Sequence, residues 1–221
     1  MPKSLDGFQP APADRHRRPL RSLLTALTIV TSAALALVPA ATATPASHKH
    51  HRRHRHAGAD SACVGADARV GHASPRLLRA AVLCLINQQR SARHLPPLQA
   101  SPQLHSSAQS WTNAMVFSDQ FTHGTNFAGR ISAAGYVWRS AGENIATGFA
   151  TPRAVVKAWM GSTGHCQNIL NPTYRNLGTG ISTRPVKGYA TGAGTWTQDF
   201  ALGMNQSQPS GNYAPMDACP Y

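Results

Sequence analysis

Hydrophobic and polar residues between positions 75 and 170 recur at helical spacing. Three Ser/Thr-Pro pairs, Ser74-Pro75, Ser101-Pro102 and Thr151-Pro152, each place an N-capping side chain before a proline at the first helical position. Apolar residues then follow three and four positions apart, as expected for helices that bury one face. The pattern predicts helices over residues 75–92, 102–116, 127–134, 151–161 and 163–170.

The pattern changes after residue 177. Short apolar runs bounded by glycine and proline predict strands over residues 178–182, 188–192 and 195–200. Helices first and strands late indicate an α+β domain with an antiparallel sheet. We place this domain at residues 76–203, followed by a C-terminal tail over residues 204–221 that Cys219 ties down.

The first 43 residues predict a signal peptide. A basic region over residues 1–21 is followed by an apolar stretch over residues 23–38 and a run of small residues that ends at Ala43. We expect cleavage after Ala43, with Ala40 as the second choice. An uncleaved membrane anchor is the alternative, although the apolar stretch is short for a membrane span.

Residues 44–75 form a linker that leads into the domain, and its centre is rich in histidine and arginine. Residues 48–56 contain no apolar side chain, which predicts disorder. A metal-scavenging or wall-binding arm is the functional alternative to a solvated linker. The net charge is +13, but residues 57–221 carry only twelve Lys/Arg against six acidic residues. We therefore expect no specific nucleic-acid partner.

The chain has four cysteines, and an even number in an exported chain predicts disulfides. Four cysteines allow three pairings, and the sequence does not choose among them. We favour Cys63 with Cys84 and Cys166 with Cys219. These pairs would tie the segment before the domain to the first helix and the C-terminal tail to the last helix.

Three short segments carry side chains with candidate chemistry. Residues 121–124 contain His123, residues 142–145 contain the single glutamate of the chain, Glu143, and residues 162–170 contain His165. Taken together with residues 87–90, 95–98, 156–160, 171–180 and 196–200, they resemble the CAP superfamily (cysteine-rich secretory protein, antigen 5, pathogenesis-related 1; SCP domain), in its bacterial-type secreted form. The resemblance covers about residues 76–203. It implies a three-layer α-β-α sandwich with a small central antiparallel sheet and an open cleft that holds His123, Glu143 and His165.

The resemblance also implies a metal site. His123 and His165 would be the ligands, and Glu143 would hold a water or a ring N–H beside them. Imidazole and carboxylate groups suit Zn²⁺ or another divalent metal. Tyr174 is a candidate for the cleft wall, with simple packing as its alternative. Many eukaryotic members carry a second glutamate before the Gly-His segment, but residues 159–162 contain none.

Two functions follow as hypotheses. The first is a secreted, monomeric, non-catalytic protein whose cleft takes a divalent metal and a small, lipid, sterol or cell-envelope ligand. The second is a metal-dependent hydrolase of cell-envelope or peptide substrates in which Glu143 activates a water. A serine nucleophile at Ser106, Ser107 or Ser162 that works with His165 is a weaker alternative, because no G-x-S-x-G motif is present. A cysteine nucleophile at Cys166, beside His165, is also weaker, because neighbours in sequence need not face each other.

Overall fold

The structure is a computed structural model that describes residues 63–211 and 218–220. The predicted signal peptide and the histidine- and arginine-rich part of the linker lie outside the described residues. So do residues 212–217 and 221 of the tail. Within the described ranges, no helix is both long enough and apolar enough to cross a membrane.

The predicted helices are present with small changes at their ends. The side-chain oxygens of Ser74, Ser101 and Thr151 each accept a hydrogen bond from the backbone N–H three residues further on, which confirms all three predicted caps. The elements in chain order are α1 (Pro75–Ser91), β1 (Gln99–Ala100), α2 (Pro102–Ser118), α3 (Phe127–Ala133), β2 (Trp138–Thr147), α4 (Pro152–Met160), α5 (Thr163–Leu170), β3 (Asn176–Ser182) and β4 (Thr195–Gly203).

The four strands form one sheet in the order β1-β3-β4-β2. β4 pairs antiparallel with both β3 and β2, whereas the two-residue β1 pairs parallel with β3, so the sheet is mixed rather than wholly antiparallel. Helices α2 and α3 pack on one face, and α1, α4 and α5 pack on the other. The predicted α-β-α sandwich is therefore confirmed.

The strand predictions differ from the structure at residues 188–192, at β2 and at the two-residue β1, which was not predicted. Residues 188–192 form turns instead of a strand, because Gly188 has a φ of 85° and starts a loop that no neighbouring strand pairs with. β2 was not predicted because its sequence holds Gly142, Glu143 and Asn144, which are poor strand formers. Its pairing along β4 and its buried polar partners stabilise it instead.

Two glycines on β3 let α2 lie directly against the sheet. A Cβ atom at Gly178 would overlap the backbone of Leu104, and one at Gly180 would overlap the backbone of Ala108. Helix side chains also bond to the backbone at both open edges of the sheet: β2 is one edge strand, and β3 is open beyond the two residues that β1 covers. Gln109 of α2 bonds with both the N–H and the carbonyl of Ile181 on β3, and Trp159 of α4 donates to the carbonyl of Ile145 on β2. These contacts protect the sheet edges from pairing with other chains.

The favoured disulfide pairing is confirmed. Cys63 bonds to Cys84 of α1, and Cys166 of α5 bonds to Cys219 in the tail. No free cysteine remains among the described residues. Cys166 as a nucleophile is therefore wrong, because its sulfur is already part of a disulfide.

Candidate functional site

A cavity of about 710 Å³ lies at the outer edge of β2, where the two helical layers meet. His123, in the connection between α2 and α3, approaches from one layer, and His165, in the first turn of α5, approaches from the other. Ser162 also lines the cavity. The remaining wall is mainly apolar and includes Phe121, Ile145, Ala146, Phe149, Trp159 and Tyr189.

Glu143 forms a hydrogen bond with His123 from outside the cavity. The Nδ1 of His123 lies 2.9 Å from Oε1 of Glu143, so the ring donates its Nδ1–H to the carboxylate. The His123 side chain is 49% exposed and that of Glu143 only 1%. The Nε2 lone pair of His123 is therefore free to accept a hydrogen bond or bind a metal ion in the cavity.

Arg130 of α3 donates a hydrogen bond to the other carboxylate oxygen of Glu143. Its Nη2 donates to Oε2 at 2.5 Å, and its Nη1 donates to the carbonyl of His123 at 3.1 Å. The same guanidinium stacks over Trp111, 3.8 Å from the ring centroid. Glu143 consequently has both carboxylate oxygens engaged and does not itself line the cavity. No sequence pattern indicated this role for Arg130, because the contact depends on how α3 packs.

His165 is partly buried, and burial, followed by the nearby His123, lowers its pKa from the ordinary value for histidine. Its ring is therefore neutral at pH 7 and can act as a ligand. The backbone around it is fixed by amides: Asn144 donates to the His165 carbonyl, and Asn168 donates to the Glu143 carbonyl and to Oδ1 of Asn144. These asparagines belong to the segments that stood out in the sequence, but their bracing role emerges only from the fold.

Tyr174 lies away from the cavity. It is 4% exposed and stacks on Phe200, with ring centroids 5.6 Å apart. Burial raises the pKa of its hydroxyl. Of the four residues proposed for the cleft, the structure therefore brings His123 and His165 to the cavity, puts Glu143 behind His123, and packs Tyr174 in the core.

One acidic residue near the site was missed. Asp199 of β4 is directly opposite Glu143 of β2 and is 1% exposed. It belongs to the Trp-Thr-Gln-Asp-Phe run, residues 196–200, which contributed to the resemblance without suggesting a role for its carboxyl group. A lone aspartate within a strand that is otherwise buried was the available signal.

The fold is that of the CAP class. The sequence model of the cysteine-rich secretory protein family, CAP, matches residues 83–200, which is more than half of the chain. The chain therefore belongs to this family.

Individual proteins agree with this assignment. YkwD, an uncharacterized protein of Bacillus subtilis (strain 168), is 37% identical over 123 residues, which cover 54% of this chain and 45% of that protein. This chain thus matches less than half the length of that relative. An extracellular protein containing an SCP domain from Bacillus anthracis str. Ames has the same fold, with a TM-score of 0.50 at 24% identity over 58% of this chain and 44% of that one.

Proposed function

We propose that this chain is a secreted, non-catalytic binding protein whose cleft holds a divalent metal ion at His123 and His165 and a small or lipid-like ligand along its apolar wall. The observation that carries the proposal is that the two imidazoles line one cavity from opposite helical layers. Glu143 supports one of them from outside that cavity.

The donor set suits Zn²⁺ or another metal that prefers nitrogen ligands. A carboxylate that accepts the Nδ1–H of a histidine leaves Nε2 free and raises its basicity, which is the usual arrangement around metal-bound histidine. Among the described residues, no group of three or more His, Cys, Asp or Glu could hold a metal. Two protein ligands leave coordination positions for water or for a donor atom of the ligand, so we expect modest affinity.

The surroundings of Glu143 favour binding over hydrolysis. A general base has to reach the water that it deprotonates. The Glu143 side chain is 1% exposed, and His123 and Arg130 occupy its two oxygens. In this arrangement it orients a histidine rather than activating a water.

The remaining wall of the cavity suits an apolar or amphipathic ligand. Phe121 and Tyr189 contact each other at the rim, with ring centroids 5.7 Å apart, and Trp159 lies deeper. Sites of this size with apolar walls and a few polar groups are typical of small-molecule binding. Two disulfides support export, since such bonds persist in oxidising compartments. The similar Bacillus anthracis protein is described as extracellular.

Calorimetric titration with Zn²⁺ tests the metal site. The mature chain is compared with its His123→Ala and His165→Ala variants and with His72→Ala, an exposed histidine outside the cavity, as the control. The histidine-rich segment is present in all four proteins and contributes equally. We expect each cleft variant to bind about one Zn²⁺ fewer, because neither imidazole holds the ion alone, and the control to match the wild type.

Equal stoichiometry in all four proteins would show that the cleft holds no metal. A Zn²⁺-dependent hydrolysis of p-nitrophenyl acetate that disappears in the His123→Ala variant would support the hydrolase instead.

A further inference from the structure

Asp199 and Glu143 form a pair of buried acids beneath the cleft. They are cross-strand neighbours in the β2–β4 pairing, so their side chains leave the same face of the sheet, towards α2 and α3. Asp199 is 1% exposed, and so is the side chain of Glu143. Two carboxyl groups therefore share one region from which water is excluded.

The two acids differ in the donors that reach them. Glu143 accepts from His123 through one oxygen and from Arg130 through the other. Neither oxygen of Asp199 has a hydrogen-bond donor of ordinary geometry among the described residues. The polar groups beside Asp199 are the Ser107 hydroxyl and the Glu143 carboxyl. The Ser107 hydroxyl also has no hydrogen-bond partner in that range.

The charges in this region do not balance if both acids are ionised. Three elements pack against Asp199 besides β2. Helix α2 contributes the Ser107 hydroxyl, and α3 contributes the charged Arg130. Strand β3 contributes no polar side chain opposite Asp199, because Gly178 occupies that position. Arg130 is the cation of the cluster, and its Nη2 is committed to Glu143. A second carboxylate would be a buried charge without a partner, which proteins avoid by protonation.

We propose that Asp199 carries a proton at neutral pH and donates its O–H to Glu143, which makes it a positioning residue that acts through Glu143 on His123. We place the proton on Asp199 because both oxygens of Glu143 already accept N–H donors, whereas neither oxygen of Asp199 does. The hydrogen bond from Asp199 then holds the Glu143 carboxylate where it accepts the Nδ1–H of His123.

The electrostatics of the pair point in the same direction. Burial raises the pKa of Asp199 to about 8. The Ser107 hydroxyl and the positive charge of Arg130 work against this rise, and the negative charge of Glu143 adds to it. The native state therefore binds a proton that the unfolded chain loses near pH 4. The stabilisation from this proton is full below pH 4 and declines as the pH rises towards 8.

Carbon-13 NMR of the aspartate carboxyl groups in the wild-type chain, without added metal and with a chelator present, tests the protonation. The signal that is missing in Asp199→Asn identifies the residue. We expect it at the position of a protonated acid at pH 6, with its titration near pH 8. A carboxylate position at pH 6 would overturn the proposal.

Urea unfolding of the wild type, Asp199→Asn and Glu143→Gln between pH 5 and pH 8 tests which acid holds the proton. An amide at residue 199 mimics the neutral acid, so Asp199→Asn should gain stability relative to the wild type as the pH rises. Glu143→Gln should be destabilised at every pH, since its amide cannot accept from both His123 and Arg130. If the stability difference between Asp199→Asn and the wild type did not change with pH, Asp199 would not hold the proton. If Glu143→Gln were as stable as the wild type while Asp199→Asn were destabilised, the proton would be on Glu143.

Nitrogen-15 NMR of the His123 ring, again without metal, tests the positioning role. We expect the Nδ1–H tautomer in the wild type and in Asp199→Asn, and a gain of the Nε2–H tautomer in Asp199→Ala. An unchanged tautomer in Asp199→Ala would show that Asp199 does not position His123. Because no readout involves metal, failure here is distinguishable from failure of the proposed metal site.

Discussion

At the scale of single residues, Arg90 is a buried cation whose hydrogen bonds all go to backbone carbonyls. It is fully buried and donates to the carbonyls of Pro96, Ile169, Asn171 and Tyr174. Burial, and to a lesser degree a neighbouring arginine, lowers its pKa to about 10, so it remains charged at pH 7. One side chain thus joins the end of α1 to the loop before β1 and to the segment after α5.

Arg90→Met should strongly destabilise the chain. The substitution keeps the apolar stem but leaves several buried carbonyls without donors, which we expect to lower the free energy of unfolding by about 3 kcal/mol or more. Arg76→Met, on an exposed position of the same helix, is the control and should change it by less than about 0.5 kcal/mol. Urea denaturation monitored by circular dichroism measures both. Similar midpoints for the two variants would show that the carbonyls find other partners.

At the scale of elements, the contact between α2 and β3 depends on having no side chain at two strand positions. The sequence predicted both elements, and their caps and apolar spacing explain why. It did not predict that the helix backbone lies against Gly178 and Gly180, because a glycine in a strand does not by itself show which element approaches it. The closeness of the two elements is a property of their packing.

Gly180→Ala should therefore destabilise the chain by about 3 kcal/mol, because the added methyl group meets backbone atoms that cannot move without shifting α2. Gly164→Ala is the matched control. Gly164 lies in α5 with open space around its Cβ position, so alanine there should stabilise the chain by roughly 0.5–1 kcal/mol. Thermal unfolding compares the two. Equal melting temperatures for the two variants would contradict the close packing.

At the scale of the whole molecule, the cleft exists only because distant segments meet at one edge of the sheet. His123 and His165 come from different helical layers, β2 forms the floor between them, and the loop that contains Tyr189 closes one side. The Cys166–Cys219 bond holds the tail against α5 next to His165. A cavity built in this way should respond to volume changes on any of its walls.

Ala158→Trp should fill part of the cavity and weaken the binding of an apolar probe. We expect 1-anilinonaphthalene-8-sulfonate to bind the wild type with enhanced fluorescence and to bind this variant at least about tenfold more weakly, which corresponds to about 1.4 kcal/mol. Ala154→Trp places the same side chain on an exposed position of α4 that does not line the cavity, and it should leave probe affinity unchanged. Equal affinity of the two variants for the probe would show that the probe binds outside this cavity.

The sequence by itself determined the helices, two of the strands, the family, and the two histidines that line the cavity. Capping residues, apolar spacing and short motifs are local, so they can be interpreted without the fold. The tertiary structure decided β2, the mixed pairing in the sheet, the contacts of Arg90 and Arg130, and the burial of Asp199 opposite Glu143. The physical reason is that a buried polar side chain depends on partners from other elements, and those partners are adjacent only after the layers have packed.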